Sequence, residues 1–293
     1  MKLFKSLLGA ALGLASCAAF AVPIPLPGGL IQLSDNDAEY LINSNGLRCN
    51  QTSGGVTGDC TVDQGDRLRG IFDINSIEGL NPAVTQVFTP FGGNELTGIF
   101  DITVTSVTPV PNGFGGFNYI FTFAPTPNAI SGFAVAGAGV EMFFDPSQNY
   151  SRTSDQCATV TLCEARATDG SLWAAFGFGP GSYWVAQAGT NNITAIGATS
   201  PPLTGGTYNA ALDFLVNNTG YTFRPHLCQV VGGPTDLADV CASGSLLGTA
   251  GAQTPFDSFS NVDFTLLRVP EPASLALVGT ALALLGLGRR RKS

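Results

Sequence analysis

Through the middle of the chain, short runs alternate apolar and polar residues, at 102–107, 118–123, 140–144, 172–178, 183–188, 212–216 and 258–269. A period of two puts successive side chains on opposite faces of a strand. Clusters of Pro, Gly and Asn separate the runs at short intervals, which predicts an all-β fold: an antiparallel β-sandwich or a barrel-like domain with few short helices. The clearest internal signal is a repeat. Gly65-Asp66-Arg67-Leu68-Arg69-Gly70-Ile71-Phe72-Asp73-Ile74 recurs as Gly93-Asn94-Glu95-Leu96-Thr97-Gly98-Ile99-Phe100-Asp101-Ile102, 28 residues on. Each copy reads as a strand with a glycine where a neighbour approaches closely or a bulge turns the chain. Two copies are too few for a solenoid, so a duplicated hairpin or a pseudo-symmetric sheet is expected. The stretches 35–42 and 234–242 read as short helices, each with an acidic or Thr cap ahead of Ala and Leu. Residues 132–139 stay open between a loop and a buried strand.

The two ends follow different patterns. Lys2 and Lys5, an apolar stretch at 7–14 and Ala19-Phe20-Ala21 make residues 1–21 a signal peptide cut by signal peptidase. A competing lipobox reading would instead lipidate Cys17. At the other end Val269-Pro270-Glu271-Pro272-Ala273 leads into an apolar segment at 274–288, followed by Arg289, Arg290, Arg291 and Lys292. Cations just past an apolar helix hold that end on the cytoplasmic side, so the residues between the two ends lie across the membrane. The segment is short and contains Gly279, Gly286 and Gly288, as suits a temporary transmembrane helix.

Residues 269–292 resemble the PEP-CTERM sorting signal of Gram-negative bacteria that make exopolysaccharide. The resemblance covers only this tail. It implies transient anchoring in the inner membrane, handling by an exosortase that cuts near Pro-Glu-Pro, and a final place at the cell surface or outside the cell. The chain divides accordingly into a signal peptide (1–21), a β-rich extracytoplasmic domain (22–268) and a sorting tail (269–293).

Charge narrows the choice of partner. Six of the 13 cations sit in the terminal segments, leaving seven arginines and no lysine against 20 of the 21 acids between residues 22 and 270, a net of 7 − 20 = −13. Such a domain repels phosphate backbones and anionic headgroups, so nucleic acid is excluded and contact with the membrane is expected only through the tail. Neutral glycans such as exopolysaccharide, cations and basic partners stay open.

Without Cys17, six cysteines remain in three sequence-local couples, Cys49 with Cys60, Cys157 with Cys163, and Cys228 with Cys241. An even count in an exported chain points to disulfides. Metal binding through sulfur is disfavoured, because no Cys-x-x-Cys occurs and His226 is the single histidine. The same shortage argues against an enzyme, and no Gly-x-Ser-x-Gly elbow or phosphate loop appears. No cofactor is required. Calcium is the one metal the loops suggest, at Asp59, Asp63 and Asp66 beside Cys60, with Asp35, Asn36 and Asp37 as a second acidic knot. Trp173, Tyr183 and Trp184, with Phe176 and Phe178, are candidates for a sugar-stacking platform. The function expected is a non-catalytic exported protein of the cell surface or biofilm matrix. One alternative is a polysaccharide-active enzyme using a carboxylate pair drawn from Glu78, Glu95, Glu141 and Asp145. The other is a lectin-like or calcium-binding adhesion module.

Overall fold

The structure, a computed structural model, describes residues 24, 26–80, 87–88, 93–150, 157–198, 206–228, 236–248 and 255–269. The signal peptide, Pro270, Glu271 and Pro272, the apolar segment 274–288 and the basic cluster Arg289, Arg290, Arg291 and Lys292 lie outside them. Among the described residues no helix is long and apolar enough to cross a membrane.

The described residues form sixteen strands. In chain order they are β1 (Gly29–Ile42), β2 (Thr52–Ser53), β3 (Val56–Thr57), β4 (Arg67–Gly79), β5 (Val87–Phe88), β6 (Glu95–Pro111), β7 (Phe117–Pro125) and β8 (Ala138–Asp145). The second half holds β9 (Ser171–Gly177), β10 (Tyr183–Ala188), β11 (Gly206–Asn217), β12 (Phe223–Arg224), β13 (His226–Cys228), β14 (Asp236–Ala238), β15 (Val240–Gly248) and β16 (Ser258–Arg268). Antiparallel pairing runs β1–β4–β6–β7–β10–β11–β15–β16 and returns to β1, which closes an eight-stranded barrel. Closure removes the exposed sheet edges that invite aggregation. Of the two architectures the alternation allowed, the chain adopts the barrel.

Two staves of the barrel are each made of two strands laid end to end. The first residues of β6 pair with β8 and its later ones with β7, while β11 pairs first with β10 and then with β9. Because β8 also pairs with β9, the ring is complete at both ends.

The repeat is the hinge of this design. Its two copies pair with each other as β4 and β6, Gly70 opposite Phe100 and Phe72 opposite Gly98. A methyl group on Gly70 would come within 2.5 Å of the Phe100 ring, and one on Gly98 within 2.2 Å of the Phe72 ring. Each glycine leaves the space its partner's phenyl fills, which is the pseudo-symmetric pair and the close approach expected of the repeat.

Inside the barrel, Phe72, Phe176 and Phe264 form an aromatic cluster, with ring centroids of Phe72 and Phe264 5.6 Å apart. A second core lies outside the wall, where the helix Val160–Ala167, Phe133 and Phe256 cover Ala38, Tyr40, Ile71 and Ile99. Thr159 caps that helix by accepting from the Leu162 N–H at 3.2 Å.

Two expectations are corrected. Residues 35–42 are the second half of β1, and 236–238 and 240–242 belong to β14 and β15. In β1 the acids sit at every second position and face inward, so a strand of period two carried polar groups where a core pattern has apolar ones. Residues 132–137 form a loop and the strand begins at Ala138.

The candidate site: a buried carboxyl ladder and the sorting tail

Asp35, Asp37 and Glu39 alternate along β1 and all point into the barrel, 1%, 2% and 2% exposed. Facing them from β16 and β11 are Ser260 and Tyr208, and the Tyr208 ring lies against Trp184 at 6.2 Å. Arg48 lies by Asp257, Arg67 and Arg69 on Asp101, and Arg268 on the Leu26 carbonyl.

The donors around this ladder bear on its protonation. Ser260 Oγ contacts both Asp37 Oδ2, at 3.0 Å, and Glu39 Oε1. A hydroxyl has one hydrogen, so one of the two contacts needs a proton on the carboxyl. Asp35 Oδ2 and Asp37 Oδ1 are buried and accept from no donor among the described residues. Electrostatics agrees: burial first, then the Asp37 charge, pushes Asp35 well above the usual carboxylate range, and burial followed by Glu39 does the same to Asp37. The Val262 N–H, donating to Asp35 Oδ1 at 2.8 Å, opposes the shift without cancelling it.

Beside the ladder, Asp37 and Glu39 help to line a cavity of about 40 Å³ whose other walls include Phe100, Phe123, Trp184 and Tyr208. That is room for a few waters.

The outer face of the wall handles charge differently. Asp101 is fully buried and takes hydrogen bonds from Arg67 and Arg69, the latter at 2.7 Å. Arg69 also donates to both oxygens of Glu164 on the covering helix, at 2.7 and 3.2 Å, and Tyr40 donates to Glu164 at 2.5 Å. The network bolts the helix to the barrel.

The residues expected to bind ligands are placed as follows. Trp173 and Trp184 are 2% and 7% exposed and belong to the barrel core, with Tyr183 half-buried, so they present no open stacking platform. Their alternation reflected a core-facing strand, and a bulge opposite Met142 and Phe143 turns Trp173 inward. The rings that do face solvent are Phe114 and Phe117, 78% and 50% exposed at the tip of the β6–β7 hairpin. Flanking glycines at 113, 115 and 116 are the sequence sign of that tip.

Asp59, Asp63 and Asp66 do not gather as metal ligands. Asp66 instead accepts from the backbone N–H groups of Ser44 and Asp63, at 2.9 and 2.8 Å, and holds the loop in shape. Asp35 and Asp37 belong to a strand and not to a calcium loop. Of the carboxylates considered for catalysis, Glu95 and Asp145 stand opposite each other on β6 and β8, Glu141 is tied to the Val135 N–H, and Glu78 lies on β4 beside Ser76.

All three disulfides form between the local couples expected, with Cα–Cα distances of 4.7 Å for Cys49–Cys60, 4.7 Å for Cys157–Cys163 and 5.2 Å for Cys228–Cys241. The Nε2 atom of His226 lies 3.2 Å from Cys241 Sγ, and burial lowers the pKa of this histidine.

At the end of the barrel, β16 is paired with β1 and β15, and its last residue, Arg268, stands opposite both Gly29 and Phe223. Val269 still donates its N–H to the Thr222 carbonyl at 2.9 Å. Residues 268–292 match the model of the PEP-CTERM protein-sorting motif. The tail is a PEP-CTERM sorting signal. No curated protein and no solved structure matches the chain. The PEP-CTERM tail thus starts where the last barrel strand stops, so a cut near Pro270–Pro272 removes no residue of the closed ring. The motif marks the chain for export, membrane-anchored sorting and exosortase processing in a Gram-negative bacterium.

Proposed function

We propose that this chain is a non-catalytic structural protein of the cell surface or extracellular polymer matrix, cut from its PEP-CTERM tail and left outside the cell as a self-contained barrel. The observation that carries the reading is the junction at Arg268, where a complete hydrogen-bonded ring meets the sorting motif. Two further features support it. Three disulfides suit an oxidising compartment, and a barrel without open edges suits life where no chaperone repairs damage. Contact with exopolysaccharide, in this reading, falls to exposed features such as the Phe114–Phe117 tip.

Intact mass of the protein from cells and medium, in hosts with and without an exosortase, tests the proposal. The expected product begins at Val22, lacks the residues beyond the Pro-Glu-Pro region, keeps three disulfides and fractionates with the polymer. A full tail that persists whether or not the exosortase is present would overturn it.

A further inference from the structure

Glu95 on β6 and Asp145 on β8 are direct cross-strand neighbours, and both are 7% exposed. Like charges placed opposite each other destabilise a sheet. Asp169, in the turn before β9, joins them, so that one carboxylate oxygen of each lies within 4.8 Å of the other two. None of the ion pairs among the described residues includes any of the three.

Existing hydrogen bonds leave the cluster short of positive partners. Glu95 Oε2 accepts from the N–H groups of Asn149 and Tyr150, at 3.1 and 2.9 Å, and Asp145 Oδ1 accepts from the Ser147 N–H at 2.7 Å. The Asn149 side-chain amide donates to Asp145 Oδ2 at 3.2 Å and to Asp169 Oδ2 at 3.0 Å. Glu95 Oε1 and Asn149 Oδ1 are buried and accept from no donor. Glu95 also borders a cavity of about 120 Å³ whose polar walls include Asp73, Asn75, Asn94, Thr97 and Gln148.

We propose that Glu95, Asp145 and Asp169 form a calcium site that ties the end of β8 and the turn before β9 to the start of β6. The donor chemistry selects the ion. Every available ligand is oxygen, three of the groups are carboxylates, and neither sulfur nor imidazole is at hand, which disfavours the softer transition metals. Calcium accepts six to eight oxygens in irregular geometry and keeps waters readily, whereas magnesium demands a near-ideal octahedron. The site is distinct from the Asp59, Asp63 and Asp66 loop, whose buried carboxylate is committed to backbone N–H groups.

The test is thermal melting and isothermal titration calorimetry of the purified protein, stripped with a chelator and then titrated with calcium chloride or magnesium chloride. Calcium is expected to raise the melting temperature by several degrees with a midpoint in the roughly 0.1–1 mM range of extracellular modules, and magnesium at equal concentration to do much less. Asp169→Asn, an exposed change that leaves the barrel wall intact, should weaken calcium binding at least about tenfold, since it removes one of three charged ligands. Asp63→Asn should leave the response unchanged. No calcium-dependent shift and no binding heat up to about 10 mM, well above that range, would overturn the proposal. An unaltered response in Asp169→Asn, or one abolished by Asp63→Asn, would do so as well.

Discussion

The inner and outer faces of the same barrel wall bury acids in opposite ways. Outside, Asp101 is neutralised by Arg67 and Arg69, and the pair reaches Glu164 on the covering helix. Inside, Asp37 and Glu39 share the Ser260 hydroxyl, Asp35 takes the Val262 N–H, and burial raises the pKa of Asp35 and Asp37. An ion pair fixes its geometry at any ordinary pH, while a proton-bridged ladder keeps its form only as long as the protons stay. The outer network is therefore an anchor, and the inner ladder is a part of the core whose strength depends on acidity.

The largest effect should come from breaking the outer network. Asp101→Ala leaves two arginines, 14% and 18% exposed, without their buried partner and should lower stability in chemical denaturation by roughly 3–5 kcal/mol. Next is the glycine–phenylalanine pairing between β4 and β6. Gly98→Ala places a methyl inside the space of the Phe72 ring and should cost about 1–3 kcal/mol by the same measurement, with Phe72→Leu in the same chain recovering part of the loss.

Within the ladder, Asp35→Ala takes the acceptor from the buried Val262 N–H and should cost about 1–3 kcal/mol near pH 5, as a buried donor loses its partner. Asp35→Asn keeps an acceptor for that N–H and should change stability least at that pH. The pH dependence has a definite sign. Asp35 and Asp37 have pKa values raised in the folded state, so on raising the pH the unfolded chain releases its protons first. Their contribution therefore favours folding most at acidic pH and is lost progressively as pH climbs from the ordinary carboxylate range towards the raised values. Melting temperatures measured between pH 4 and pH 8 should show this fall, and Asp35→Asn should flatten it; a slope equal in both proteins would remove the ladder as its source.

The sequence made the β class readable wherever apolar and polar residues alternate, as at 183–188, where β10 begins and ends. The Gly70–Phe72 and Gly98–Phe100 repeats announced both the paired strands and the close approach. Ring closure was not readable, because β1 meets β16 across more than two hundred residues and no local pattern names that partner. The ladder was hidden for a physical reason: acids at core-facing positions invert the hydrophobic code, so Asp35 and Asp37 looked like a solvated knot. Trp173 and Trp184 failed as surface candidates for the complementary reason, since large rings at alternate positions fill a barrel as readily as they cover one. The tail, by contrast, is read by order of elements alone and needs no fold to be recognised.

Infrared difference spectroscopy of the carboxyl C=O stretch, comparing the parent protein with Asp35→Asn at neutral pH, tests the central claim most directly. A protonated carboxylic-acid band at pH 7 that disappears in Asp35→Asn is the result expected of a ladder that keeps its protons. Carboxyl groups ionised throughout at pH 7, with no acid band in either protein, would contradict the account and leave the buried charge of β1 in need of another partner.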